Sequence, residues 1–259
     1  MWLIQSGVAE KWEKCKAGCV DGKVPAAEFA DAALAIISVF DLISGMGIAK
    51  ADMNGNAKAI AKFAEENPGK SLQELCEAEL STGDLKKLLK GGSACCALLW
   101  LQRALLFIKV LATLRPCSQG NKHIRSRLTL PCHCCATRAS TRRASVTSPI
   151  KAKSSTCVCS RPGLQAQILL ETLESDRSAK LSECVMKGYE ASLKRFHGFA
   201  VRTTFSVAVK AAPSRDGFMA KLAPTEEEVF QRIGAMMPTV NEILKTNDAF
   251  LRAKGVETA

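Results

Sequence analysis

Several things are scarce in this 259-residue chain. Aromatic residues are only 5% of it, with one tyrosine, Tyr189, and three histidines. Apolar residues nevertheless reach 47%, so the greasy content is largely Ala and Leu, which favour helix. No strand pattern competes, and an all-α fold is expected. The N-terminus, MWLIQSGVAEKWEKCK, has no leading basic region and only a short apolar stretch, so it is not a secretory signal. A reducing, cytoplasmic setting without disulfides is the expectation. There is no phosphate-cradling glycine loop and no nucleophile motif around the one histidine outside the central segment, His197. The chain offers no catalytic constellation, and an enzyme is not expected.

Acidic residues are missing altogether from Arg115 to Pro162, a stretch with ten Lys and Arg. It accounts for ten of the net +11, leaving the rest of the chain near neutrality, which argues against a nucleic-acid partner. The same stretch holds six of the twelve cysteines and two of the three histidines. Its C-x-C-C and C-x-C spacings do not match the C-x-x-C of structural zinc sites, so neither metal nor cofactor is expected. With four prolines and no helical or strand period, residues 116–162 read as a disordered, basic, Cys-rich insertion.

The flanks are periodic. Residues 1–23 read as a flexible tail. After Pro25 a helix carries Phe29, Ala33, Ile36, Phe40 and Ile43 on one face. A second spans Ile48 to Glu66 and ends at the Asn67, Pro68, Gly69 turn, and a third opens on a Ser71/Glu74 capping box. Residues 94–114 form the most apolar stretch, long enough to cross a bilayer. Gln102, Arg103 and Lys109 lie inside it, each basic group costing about 2.5–3.5 kcal/mol in a membrane, so a buried central helix is preferred. A membrane-anchored protein using 94–114 as its span is the alternative. Beyond the insertion, a helix is expected from Ser178 through the FHGF stretch to Pro213, then a short helix over Arg215–Leu222, then a last helix opened by Thr225 and Glu228.

One helix breaks the pattern. Taking the inward stripe of the second as Ile48, Asp52, Asn56, Ile60 and Phe63 sets a carboxylate and an amide on a greasy face. Either they tie neighbouring helices together, or they line a polar mouth above an apolar cavity. Trp100 and His197, read alone, are core residues.

Together they say more. The strings KADMNGN (50–56), LLWLQRALLFI (98–108) and LKRFHGFAVRTTFSVAVKAAP (193–213) resemble the glycolipid transfer protein family in order and context. That resemblance covers residues 24–255 apart from the insertion. It implies a two-layer sandwich of about eight helices that moves glycosphingolipids between membranes without vesicles. Asp52 and Asn56 would bind the sugar and the ceramide amide, Trp100 would face the sugar ring, and His197 would donate to the acyl carbonyl. Phe107 and Phe205 would line an apolar tunnel for the chains, and Phe199 would touch the membrane interface. A carrier must replace contacts worth on the order of 24 kcal/mol for about thirty methylenes. A transient, peripheral membrane contact follows, and nothing demands more than a monomer.

The family's ceramide-1-phosphate branch places Lys at the position of Asn56 and Arg at those of Trp100 and Ala104, so this chain resembles the sugar-binding branch. Ala59 departs from it, standing where a basic residue is usual. A sensor that binds the lipid without net transfer is a second reading of the same pocket.

Overall fold

The computed structural model describes residues 1–112 and 180–257. Among these there is no β-strand, only isolated bridges joining Val20 to Lys23 and Pro25 to Ser71. The expected insertion, 116–162, lies outside the described residues.

The chain starts with α1 (Trp2–Gln5) and α2 (Val8–Ala17), which corrects the expectation of a flexible tail over 1–23. Val8, Trp12 and Cys15 follow one another at helical spacing and all three are fully buried, Trp12 meeting Phe29 edge-on at 6.0 Å. Ten residues between two glycines offer only this narrow stripe. Its one large side chain is worth about 1.5–3 kcal/mol on burial, enough to hold the helix down.

α3 (Ala26–Ile37) tightens into a 3₁₀ turn (Ser38–Leu42), and its expected face from Phe29 to Ile43 is buried throughout. α4 (Gly47–Glu66) is followed by α5 (Leu72–Thr82) and the single turn α6 (Leu85–Leu88). At the head of α5 the Ser71 hydroxyl accepts from the Glu74 amide while Glu74 accepts from the Ser71 amide, the reciprocal cap its sequence announces.

α4 is turned by one residue from the expected stripe. The buried positions are Met53, Ala57, Ile60 and Ala64, whereas Ile48 is 70% exposed and Asp52 stands in solvent. One residue is about 100° of helix rotation. The alanines decide the phase: Ala57 and Ala64 face the packed neighbours α3 and α7, where small side chains allow close approach. The acid and amide therefore edge the helix and carry no burial cost.

α7 (Ala94–Ala112) is the hub, packed against α4, α5 and the two later helices α8 (Leu181–Ser192) and α11 (Glu226–Ala253). Glu79 caps it from α5, accepting from the Ala94 and Cys95 amides at 2.7 and 2.9 Å. Gln102 is buried and donates to the Leu244 carbonyl at 2.7 Å, and no described helix is long and apolar enough to cross a membrane. The described part of this stretch, 94–112, is the buried central helix preferred from the sequence, with Gln102 bonded to α11 and Arg103 paired with Glu257 just beyond it.

The helix expected to run unbroken through FHGF does not. α8 stops at Ser192, a 3₁₀ turn covers Lys194–Phe196, His197 is extended, and Gly198 caps α9 (Phe199–Val209). Glycine has low helix propensity, and the break lets α8 bury Tyr189 while α9 turns in Phe205 and Val209. α10 (Arg215–Leu222) then leads to α11, where the Thr225 hydroxyl accepts from the Glu228 amide at 3.2 Å. Helices α2, α3, α4, α7 and α11 each pack on the next and α11 returns to α2, enclosing the core of the two-layer sandwich.

Candidate functional site

The break at Gly198 creates the site, because it drops His197 off the helix and onto the side of α7. The imidazole stacks on the half-buried Trp100 ring at 5.9 Å with 22° between planes. Phe196 meets the same indole edge-on at 6.5 Å. On the other side of His197, the Tyr189 hydroxyl lies 2.9 Å from Nδ1.

From there the aromatic contacts run inward without a gap. Tyr189 stacks on Phe205 at 3.9 Å, Phe205 meets Phe107 edge-on at 6.0 Å, and Phe107 stacks on Phe40 at 6.0 Å. Phe40, Phe107 and Phe205 are all buried. A half-buried polar-aromatic rim thus passes directly into an apolar interior. An open cavity of about 400 Å³ elsewhere is lined by Trp2, Ser6, Ser38, Leu42 and Lys221 and shares no residue with this run.

Charge at the rim is mixed. Burial holds the His197 imidazole below its ordinary pKa; Asp52 pulls it up and Arg202 pushes it further down. Asp52 is therefore close enough for its charge to reach the imidazole, which ties the edge of α4 to the rim. Asn56, one turn along, donates from Nδ2 to the Asp52 carbonyl at 3.0 Å. Burial raises the Tyr189 phenol, so it is a neutral hydrogen-bonding group at ordinary pH.

The structure thus gathers Trp100 and His197 in direct contact, brings Asp52 within electrostatic reach, and places Phe107 and Phe205 together behind them. Phe199, the first residue of α9, is 86% exposed. Nothing in the sequence marks Tyr189 or Arg103 as part of the site. Tyr189 reads as one more apolar position on α8, and its hydroxyl acquires a partner only through the chain break eight residues on. Among the described residues no group of three or more His, Cys, Asp or Glu could hold a metal ion.

An all-helical sandwich with an aromatic-lined interior and a polar rim defines a carrier of amphipathic molecules. The sequence model of the family described as "Glycolipid transfer protein (GLTP)" matches residues 24–135 and 164–224, and the chain belongs to that family, whose members are lipid transfer proteins. It is 23% identical over 237 residues to a glycolipid transfer protein of Aureobasidium melanogenum, covering 90% of this chain and 86% of the relative. Among solved structures it resembles HET-C2, a fungal glycolipid transfer protein, with a TM-score of 0.58 at 22% identity over 91% of this chain and 89% of that one. The human ceramide-1-phosphate transfer protein in complex with 12:0 ceramide-1-phosphate has the same fold, with a TM-score of 0.63 at 16% identity over 97% and 96%.

Proposed function

We propose that this chain extracts a glycosphingolipid of the glucosylceramide kind from one membrane and delivers it to another as a monomeric cytoplasmic carrier. The observation that carries this reading is the unbroken run from Trp100 through His197, Tyr189, Phe205 and Phe107 to Phe40. A flat indole with an acid and an amide nearby suits a sugar, whose hydroxyls donate to carboxylate and amide oxygens while its C–H face packs on the ring. The wider contacts of Phe107 with Phe40 and Phe205, at 6.0 Å, can part to admit hydrocarbon.

Each group has one task. Asp52 accepts from the ceramide amide and a sugar hydroxyl, and Asn56 bonds the same sugar. Trp100 carries the ring. When the Tyr189 hydroxyl donates to Nδ1 of neutral His197, the imidazole proton sits on Nε2, ready to donate to the acyl carbonyl. Phe107 and Phe205 shelter the chains, and Phe199 meets the membrane interface where aromatic rings partition well.

Sugar is favoured over phosphate by charge. Ala104 is buried and uncharged, and Arg103, the cation stacked near Trp100, is bonded by both Nε and Nη2 to Glu257. A phosphate prefers cations with open donors. A vesicle assay with fluorescent glucosylceramide tests the reading: Trp100→Ala and Asp52→Val each lose most transfer while circular dichroism stays helical. Retained transfer in both rejects the head-group assignment, and uptake without net transfer would indicate a sensor.

A further inference from the structure

The C-terminal tail folds back onto the rim. After α11 ends at Ala253, Gly255 takes φ +68°, and the Val256 and Glu257 amides both donate to the Leu251 carbonyl, at 2.9 and 3.1 Å. A left-handed residue just past a helix end is a position suited to glycine, since a Cβ there is strained. The turn buries Val256 and sets Glu257, its side chain 6% exposed, against Arg103, its side chain 12% exposed.

That contact is a bidentate ion pair. Arg103 Nε and Nη2 donate to the two Glu257 carboxylate oxygens at 2.9 and 3.1 Å. The same guanidinium lies 3.5 Å above the centre of the Phe196 ring and 5.2 Å from that of Trp100. A guanidinium held by two parallel bonds has a fixed plane, and that plane is what the two aromatic rings pack against. Pairing also cancels the charge that would otherwise face the rim.

We infer that Glu257 is a specificity-determining residue that acts through Arg103: it fixes the Trp100 platform for a sugar and neutralises the cation beside that platform, which would otherwise welcome a phosphate. The inference rests on the reading of Trp100 as the sugar platform and extends it, since it makes the choice between sugar and phosphate depend on a carboxylate that touches neither. Removing that carboxylate leaves a largely buried guanidinium seeking an anion. A lipid phosphate is such an anion.

The test uses the full chain with Glu257→Gln, and Glu257→Gln combined with Arg103→Met. Vesicles carrying either glucosylceramide or ceramide-1-phosphate report binding. In Glu257→Gln the preference for glucosylceramide over ceramide-1-phosphate falls about tenfold, the size of one charge-assisted hydrogen bond. In the double variant ceramide-1-phosphate binding falls back, because the unmasked cation is gone. Without any lipid, the ¹⁵N-resolved indole signal of Trp100 moves in Glu257→Gln while those of Trp2 and Trp12 stay.

Equal loss of both lipids, or an unmoved Trp100 signal, overturns the inference, as a merely structural tail would give the first. Absence of glucosylceramide binding in the parent would instead reject the proposed function, and the lipid-free indole signal would still decide whether the tail sets the platform. Glu257→Asp, which keeps the charge, restores most of the preference if the pair is the cause.

Discussion

Tyr189 holds His197 by one hydrogen bond, 2.9 Å from hydroxyl to Nδ1, across the chain break that separates α8 from α9. The bond favours the neutral imidazole when the phenol donates, in the same direction as burial does. A histidine whose folded pKa is lowered contributes stability that is fully present above its unfolded value, about 6.5. That contribution is lost as pH falls from there through the folded value.

Lipid uptake should accordingly be level above about pH 6.5 and decline below it. Tyr189→Phe keeps the stack on Phe205 but removes the hydroxyl, so the imidazole protonates more readily and the decline moves to higher pH. Uptake near neutral pH should drop about three- to tenfold, in line with one hydrogen bond worth about 1 kcal/mol. Histidine NMR titration beside an uptake profile checks both; an unchanged midpoint in the variant would show that the bond does not set the tautomer.

Gly45 has φ +84°, and a Cβ built there would run into the Ala208 carbonyl oxygen at the C-terminal end of α9. The loop ahead of α4 and the end of α9 touch through bare backbone. Gly45→Ala should destabilise the fold by about 2 kcal/mol, from the left-handed strain together with the displaced carbonyl. Thermal unfolding measures this, and a melting temperature within a degree of the parent would refute the close approach.

Phe199 is 86% exposed, with Val201 and Val207 of the same helix also in solvent. Phe199→Asp should leave thermal stability within about 0.5 kcal/mol, as is usual for surface positions away from structural features. Sedimentation with neutral vesicles should fall severalfold, and transfer with it. Normal vesicle association in this variant would remove Phe199 from the membrane contact.

What the sequence disclosed and what it hid can be separated by range. Helices set by local rules, such as α5 with its Ser71/Glu74 cap and α3 with its spaced Phe29, Ala33 and Ile36, are legible without tertiary information. The phase of α4 is not, because it turns on Ala57 and Ala64, whose small size matters only once α3 and α7 are in place. The short α2 is missed for a related reason: its order comes from Trp12 docking on Phe29, not from its own length.

At the candidate site, Trp100 and His197 could be named from strings of neighbouring residues, and the structure stacks them. Tyr189 and Glu257 could not. The first depends on a backbone break at Gly198, and the second reaches α7 from 154 residues away through a turn at Gly255. Contacts that distant leave no periodic trace in the chain.

The rim also draws on two separated parts of the polypeptide. Asp52 and Trp100 precede residue 113, whereas Tyr189, His197 and Glu257 follow residue 179. During synthesis the earlier half must wait, with Phe40 and Phe107 lacking their later neighbours, until more than seventy further residues have left the ribosome. A protein shortened between Arg103 and Phe196 would keep the indole and the acid yet lack the His197 ring that both of them reach. Chaperone demand, rather than lipid affinity, would then be the first cost of truncation.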